Sequence, residues 1–307
     1  MTAGATKQKT LKTEIGCTGV ALHSGRKTTL TLKPAEANSG IRICRTDLVN
    51  GAREILVNWA NVVDTQLATT VGNDHGATVS TVEHLMAALA GCEIDNVMIE
   101  VDGPEIPIMD GSAAPFVFLV ECAGTVEQDA RRTAIKILKP ISVGDDTRSL
   151  SVLPAAEFSL DFEIDFASTA IDRQERGFQG VDSNFKADIA RARTFGFEHE
   201  VDALRSAGLA LGGSLENAVV VSGDKILNEG GLRFDDEFVR HKILDCIGDL
   251  YLAGGPVIGQ VVASRSGHEL NNRLLRAVFA DEEAWTRVDA PLPRNLQPSL
   301  EASAAVA

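Results

Sequence analysis

Residues 240–251 read Arg-His-Lys-Ile-Leu-Asp-Cys-Ile-Gly-Asp-Leu-Tyr, and this stretch decides which fold and which site we predict. An α-helix turns by roughly 100° per residue, so His241, Asp245 and Asp249 fall on one narrow stripe. Apolar side chains fill the opposite arc, which is typical of a helix with one face in a core. An imidazole and a carboxylate one turn apart can hold a single divalent metal between them.

Two interpretations of this stripe stay open from its spacing alone. His241 and Asp245 are either metal ligands or an ordinary ion pair on a helix surface. An ion pair of the second kind contributes only about 0.2–0.5 kcal/mol to helix stability.

A second segment, residues 80–91, is also predicted to be a helix. Ser80 is its expected N-cap, and Glu83 follows three residues later, which is the pattern of a capping box. That pattern would explain Glu83 without catalysis. His84, on a largely apolar helix, is either a core histidine or a metal ligand.

Taken together, these residues fit a catalytic zinc. Two histidines and a carboxylate leave the fourth ligand position open for water. Zinc lowers the pKa of that water toward about 7, and a neighbouring carboxylate such as Glu83 can take its proton. His268 is a cation that could stabilise an oxyanion or protonate a leaving amine. The pattern favours a metal hydrolase, and a non-catalytic metal- or nucleotide-binding protein stays open.

Composition narrows the class of protein. The chain has 307 residues and a formal net charge of −14, which argues against binding to nucleic acid or an anionic membrane. Its five cysteines are widely spaced, as expected for a cytoplasmic protein without disulfides. No apolar run approaches the roughly 20 residues of a membrane helix, so we expect no integral membrane segment. We expect a monomer.

Hydrophobic patterning predicts an α+β fold in two similar halves. Residues 11–35 predict a β-hairpin, and the strict alternation of residues 158–166 predicts a strand buried on one face. Residues 149–155 resemble residues 29–35, and each half continues into a helix, a glycine and an apolar strand (residues 257–263 in the second half). We therefore predict domains at 1–128 and 129–283, with a disordered tail at 284–307.

Five motifs resemble the UDP-3-O-acyl-N-acetylglucosamine deacetylase family, in the order in which that family carries them. They read STVEHL (80–85), EIPIMDGSAAPF (105–116), RTFGF (193–197), HKILD (241–245) and SGH (266–268). Members are zinc-dependent amidohydrolases of the committed step of lipid A, and hence lipopolysaccharide, biosynthesis in Gram-negative bacteria. The resemblance implies two α+β domains forming a sandwich, with the helices packed between the sheets. It also implies hydrolysis of the N-acetyl group of an acylated UDP-amino-sugar, with release of acetate.

The resemblance further assigns roles in the metal site and the chemistry. His84, His241 and Asp245 would bind Zn²⁺, and Glu83 would be the general base. The other predicted catalytic residues are His268 as the cation for the oxyanion and leaving amine, Asp249 as the residue that orients it, and Thr194 as a hydroxyl donor to the oxyanion.

It also assigns substrate-binding residues. Lys242 and Phe195 would contact the nucleotide-sugar portion. An insertion at about 197–221 would form a passage for the acyl chain, including Gly213 and Ser214, which otherwise read as a simple glycine-rich turn.

Overall fold

The protein is described by a computed structural model, which covers residues 6–49, 53–168, 170–180 and 184–290. The α-helices of these residues are α1 Glu83–Gly91, α2 Ala114–Ala123, α3 Glu198–Ser206, α4 Glu237–Tyr251 and α5 His268–Ala280. Two short turns accompany them, a 3-10 turn at Trp59–Asn61 and a π-helical turn at Phe185–Ile189. The strands are β1 Lys7–Leu11, β2 Ile15–Val20, β3 Lys27–Pro34, β4 Ile41–Arg45, β5 Glu54–Leu56, β6 Val62–Asp64, β7 Thr70–Gly72, β8 Thr78–Val79, β9 Val97–Val101, β10 Thr125–Arg131, β11 Thr133–Ile137, β12 Ile141–Gly144, β13 Ser149–Leu153, β14 Ser159–Asp165, β15 Arg173–Gln179, β16 Phe195–Phe197, β17 Val219–Ser222, β18 Lys225–Ile226, β19 Val257–Ile258, β20 Gln260–Ser264 and β21 Trp285–Asp289.

Two five-stranded sheets share one topology. The first has the order β2-β3-β9-β4-β5 and the second has the order β12-β13-β20-β14-β15. In both sheets the central strand is antiparallel to the neighbour on one side and parallel to the neighbour on the other. The strands β3 and β13, which carry the similar stretches of sequence, occupy equivalent places. The predicted α+β fold with two similarly built halves is therefore confirmed.

Alternation of side chains explains how the sheets face the core. In β14, Leu160, Phe162 and Ile164 are at most 2% exposed, whereas Asp161 and Asp165 point to solvent. A strand places successive side chains on opposite faces, so one face of β14 is buried and the other is wet. This agrees with the prediction for residues 158–166.

The helices lie between the two sheets. The helices α4 and α5 pack against the second sheet, α2 packs against β2 of the first, and α1 packs against both α2 and α4. Every residue of α1 is buried, as expected for a helix enclosed on all sides. None of the described helices is long and apolar enough to cross a membrane.

Gly248 lets α1 and α4 approach closely. A Cβ atom on Gly248 would lie 2.0 Å from the carbonyl oxygen of Glu83 and 3.1 Å from the backbone nitrogen of Ala87. Those atoms belong to the backbone of α1 and cannot move aside as a flexible side chain can. Only glycine therefore permits this helix contact, which brings the start of α1 beside the C-terminal half of α4.

Gly248→Ala is expected to lower the free energy of unfolding by about 1–3 kcal/mol, because it overpacks this contact. It should also weaken metal binding, since it pushes apart the two helices that carry the predicted ligands. Chemical denaturation and metal titration measure the two effects. Gly230→Ala, where an added Cβ meets nothing within 4 Å, is the matched control. Unchanged stability and metal affinity in Gly248→Ala would contradict the role of this contact.

Residues 257–263 form two strands, so the prediction of one strand was wrong. The strand β19 pairs with β11, and β20 joins the second sheet. Gly259 separates them, and a Cβ there would lie 3.0 Å from the carbonyl oxygen of Leu153. The chain changes sheets at a point where only glycine fits comfortably, and hydrophobic patterning carries no signal for that change.

The predicted disordered tail begins too early. Residues Trp285–Asp289 form β21, which pairs with β11 along its whole length. Residues 291–307 of the predicted tail lie outside the described residues. The division at residue 128 remains a prediction, and β10, which contains that position, pairs with β1.

Candidate metal centre and active site

Three predicted metal ligands converge between the two halves of the chain. His84 comes from the first turn of α1, whereas His241 and Asp245 lie one turn apart on α4. The Nε2 atoms of His84 and His241 lie 3.5 and 3.3 Å from Oδ1 of Asp245. One ligand atom from each residue falls within 4.8 Å of the other two. All three residues are at most 3% exposed.

The triangle fits a tetrahedral metal ion. Bonds of about 2.0–2.2 Å in a tetrahedral zinc site put neighbouring ligand atoms about 3.4 Å apart. Oδ1 of Asp245 is fully buried, and it has no hydrogen-bond partner among the described residues. A buried carboxylate oxygen without a donor is costly unless a cation satisfies it. The residues present therefore suit a divalent metal, and the i,i+4 pair is no surface ion pair.

The protonation states of the two α4 ligands also suit a metal. Nδ1 of His241 lies 3.1 Å from the carbonyl oxygen of Ala192, and we assign it as the donor, which leaves Nε2 free to bind. Burial outweighs the nearby charges and lowers the pKa of His241 to about 4. Burial disfavours the charge of Asp245, but His241 and Lys242 hold the pKa of that carboxyl well below its usual range.

Lys242 supports Asp245 from the side away from the ligand triangle. Its Nζ donates to Oδ2 of Asp245 at 2.7 Å. Burial disfavours the ammonium ion, yet the carboxylate of Asp245 raises the pKa of Lys242 overall. Asp245 thus gives one oxygen to a lysine and keeps the other for a metal. The predicted contact of Lys242 with substrate stays a prediction.

Glu83 lies directly beside the predicted ligand His84. Its Oε2 accepts a hydrogen bond from the backbone N–H of Thr69 at 3.0 Å, and its Oε1 lies 3.8 Å from Nε2 of His268. Burial raises the pKa of Glu83. A carboxylate so placed can take up and hold a proton at Oε1.

The capping-box explanation for Glu83 is wrong. The residue before the helix is Val82, and no side chain caps it. Ser80 instead accepts a hydrogen bond from the hydroxyl of Thr70 at 3.0 Å. Thr81, which lies between Ser80 and Val82, has a positive φ of 59°. This conformation bends the chain out of the path that a capping box needs.

His268 and Asp249 form a hydrogen-bonded pair. Nδ1 of His268 lies 2.8 Å from Oδ2 of Asp249, and Asn271 donates to the same oxygen at 2.8 Å. Burial disfavours the imidazolium, but Asp249 and Glu83 outweigh it and raise the pKa of His268 to about 9. His268 is therefore a cation at neutral pH, with Nε2 pointing toward Glu83.

Thr194 and Phe195 lie in the segment that runs past His241. The ring of Phe195 has its centroid 6.2 Å from that of His241 and 4.9 Å from that of Phe238. The backbone N–H of Thr194 donates to the carbonyl of Gly111 at 2.8 Å. Phe195 thus borders the predicted ligands, and Thr194 comes two residues after Ala192, whose carbonyl accepts from the predicted ligand His241.

Gly213 and Ser214 lie in a loop after α3. The backbone N–H of Ser214 donates to the side chain of Asn217 at 2.9 Å, which closes a tight turn. The preceding N–H of Gly212 donates to the carbonyl of Leu22 at 2.9 Å, so this loop docks on the turn between β2 and β3. No hydrogen bond or ion pair among the described residues joins Gly213 or Ser214 to the ligand triangle, and their predicted role stays a prediction.

Three residues that support the site were not predicted. Thr69 contacts both Glu83 and Asp249. Asn271 follows His268 by one helical turn, and that spacing could have indicated it. Glu105 is buried and accepts hydrogen bonds from Thr81 and from the backbone and hydroxyl of Ser24. No local pattern indicates Thr69 or Glu105, because their partners are distant in sequence.

A buried ion pair holds the Thr194 segment on α4. The Arg193 guanidinium donates to both carboxylate oxygens of Glu237, at 2.8 and 3.0 Å, and Glu237 is 0% exposed. Burial disfavours the charge of Glu237, but the hydrogen bonds from Arg193 prevail and lower its pKa.

Glu237→Ala is expected to lower the free energy of unfolding by about 3 kcal/mol, because it leaves the largely buried Arg193 guanidinium without its carboxylate partner. Because the folded-state pKa of Glu237 is depressed, its contribution is complete above its unfolded pKa of about 4.3. That contribution is lost as pH falls through the lower folded value. Denaturation of both proteins at neutral and acidic pH measures this difference. Glu175→Ala removes an exposed ion pair with Arg173 and should change stability little; an equal loss would contradict the assignment.

Fold and site together define a class of protein. An α+β scaffold presents a buried divalent-metal ligand triangle, with a proton-accepting carboxylate on one side and an imidazolium on the other. That arrangement is typical of the active site of a metal-assisted hydrolase.

The chain belongs to the UDP-3-O-acyl N-acetylglycosamine deacetylase family, whose sequence profile matches residues 8–280. It is similar to the UDP-3-O-acyl-N-acetylglucosamine deacetylase of Vibrio parahaemolyticus, with 53% identity over 281 residues, which are 91% of this chain and 92% of the relative. The protein of the same name from Pasteurella multocida is 54% identical over 282 residues, again 91% and 92% of the two chains. That from Vibrio cholerae is 52% identical over 281 residues, with the same coverage.

Proposed function

We propose that this enzyme is a zinc-dependent deacetylase. Its substrate is UDP-3-O-[(R)-3-hydroxyacyl]-N-acetylglucosamine, and the products are acetate and a free amine, in the committed step of lipid A biosynthesis. The observation that carries the proposal is the buried triangle of His84, His241 and Asp245, flanked by Glu83 and His268. Family membership and the names of the relatives support the choice of substrate.

Zinc fits the ligand triangle, and when bound it would polarise the acetamide carbonyl and lower the pKa of a water molecule. Glu83 takes the proton of the attacking water at Oε1. His268 donates from Nε2 to the leaving amine and stabilises the negative charge that develops on the carbonyl oxygen. Asp249 holds Nδ1 of His268 and keeps the imidazolium in that orientation.

The remaining predicted residues belong to substrate binding and to the oxyanion. The Thr194 hydroxyl donates to the developing oxyanion from the segment beside His241. Lys242 supplies local positive charge for the nucleotide-sugar, and Phe195 packs against it. Gly213 and Ser214, without bulky side chains, leave room for the acyl chain in the insertion at 197–221.

We also propose a cytoplasmic, monomeric enzyme whose two domains divide at residue 128. The free thiols of all five cysteines suit a reducing compartment. The equivalent sheets suit the division into domains, because each half has its own β-layer and its own pair of central helices.

The deciding experiment is acetate release from the acylated UDP-sugar by the purified protein. Activity should disappear with a chelator and return on adding zinc. A panel of amides lacking either the UDP or the acyl group separates this function from a metal hydrolase acting on another amide. Equal turnover of the truncated amides would overturn the proposed substrate, and activity that survives complete removal of metal would overturn the proposed chemistry.

A further inference from the structure

Thr69 is the one described residue that hydrogen-bonds to both Glu83 and Asp249. Its backbone N–H donates to Oε2 of Glu83 at 3.0 Å, and its hydroxyl donates to Oδ1 of Asp249 at 2.6 Å. Its carbonyl accepts from the N–H of Val82 at 3.3 Å, just before α1. Thr69 is 1% exposed. One buried residue therefore ties the start of α1 to the far end of the α4 stripe.

The distance between Glu83 and His268 needs a restraint. Oε1 of Glu83 and Nε2 of His268 are 3.8 Å apart, whereas a direct hydrogen bond between such charged groups is about 2.7–2.9 Å long. In a buried site, attraction between a carboxylate and an imidazolium should close this distance. A closed pair would occupy both the proton acceptor and the proton donor of the reaction.

Two hydrogen-bond connections oppose that closure, and both lead to Thr69. Oε2 of Glu83 is held by the Thr69 N–H. Nδ1 of His268 is held by Asp249, whose other oxygen is held by the Thr69 hydroxyl. Asn271 adds a donor to Asp249 but does not contact Glu83. Each reacting side chain is thus held through the atom that does not face the other, Oε2 of Glu83 and Nδ1 of His268, while Oε1 and Nε2 face each other.

We propose that Thr69 is a positioning residue that keeps Glu83 and His268 apart, so that the reacting amide can enter between them. This inference rests on the proposed function for its kinetic consequence. The spacing of the two side chains can be tested without any activity.

The test compares Thr69→Val with Thr69→Ser. Valine keeps the shape and the backbone N–H but removes the hydroxyl, whereas serine keeps the hydroxyl. Thr69→Val should retain full zinc with KM little changed, while kcat falls at least about tenfold, because small displacements of reacting groups are costly. Thr69→Ser should stay within about threefold of the parent, since its bond to Asp249 remains. Thr70→Val, which removes the next hydroxyl along the chain, should behave like the parent.

Three outcomes would overturn the inference. They are a Thr69→Val enzyme with parental kcat, a Thr69→Ser enzyme as slow as Thr69→Val, and a loss of kcat that only follows lost zinc or lost folded protein. A crystal structure of Thr69→Val gives the activity-independent readout. Closure of the Glu83–His268 distance toward about 2.8 Å supports the proposal, and an unchanged distance refutes it. If the parent releases no acetate, the proposed function fails, and the crystal structures still decide the role of Thr69.

Discussion

Glu83→Gln is expected to keep a full equivalent of zinc while acetate release falls by a factor of about 10²–10⁴. Glutamine has the shape of glutamate and can still accept the hydrogen bond from the Thr69 N–H, but it cannot take a proton. The metal ligands are untouched, because Glu83 is not part of the triangle. Elemental analysis and steady-state kinetics on the same preparation measure the two quantities.

Thermal unfolding separates this catalytic role from a structural one. No capping box involves Glu83, so the Glu83→Gln protein should have a melting temperature close to that of the parent. Glu100→Gln, which alters a half-exposed carboxylate paired with Lys33, is the matched control and should keep full activity. A Glu83→Gln protein that melts early yet turns over normally would show that the carboxylate serves the fold.

Asp245→Ala is expected to lose bound zinc and activity together. The substitution removes one of the three predicted protein ligands and the only carboxylate among them, so two imidazoles from different helices remain. It also leaves Lys242 without the acceptor of its 2.7 Å hydrogen bond. Because bound metal stabilises only the folded state, the variant should also lose the increase in melting temperature that zinc gives to the parent.

Two further variants test whether this result is specific to the carboxylate of Asp245. Asp245→Asn keeps the shape but not the charge and should bind zinc more weakly than the parent, whereas Asp165→Ala, at an exposed ion pair with Arg265, should retain all of it. A full equivalent of zinc in Asp245→Ala would refute the assignment of this ligand. Full activity in an Asp245→Ala preparation that holds only a fraction of an equivalent of zinc would refute the role of the metal in catalysis.

The predictions drawn from regular periodicity in the sequence agree with the structure. The α4 stripe, the alternation in β14 and the similarity between β3 and β13 each follow from geometry that repeats every two or four residues. Predictions failed where the backbone changes direction. Gly259 moves the chain from one sheet to another, and the positive φ of Thr81 removes the capping box that Ser80 and Glu83 suggested.

The sequence by itself determined the kinds of ligand and the i,i+4 spacing of His241 and Asp245, because the pitch of a helix places those two side chains together wherever the helix lies. Spacing left His84 as either a core histidine or a ligand, and the family resemblance predicted a ligand, but only the tertiary structure places its Nε2 3.5 Å from Oδ1 of Asp245. That depends on the close contact at Gly248, which joins helices from opposite halves of the chain. The same is true of Thr69, whose two hydrogen bonds reach α1 and α4. Such contacts arise from packing between distant segments, and no local sequence pattern predicts them.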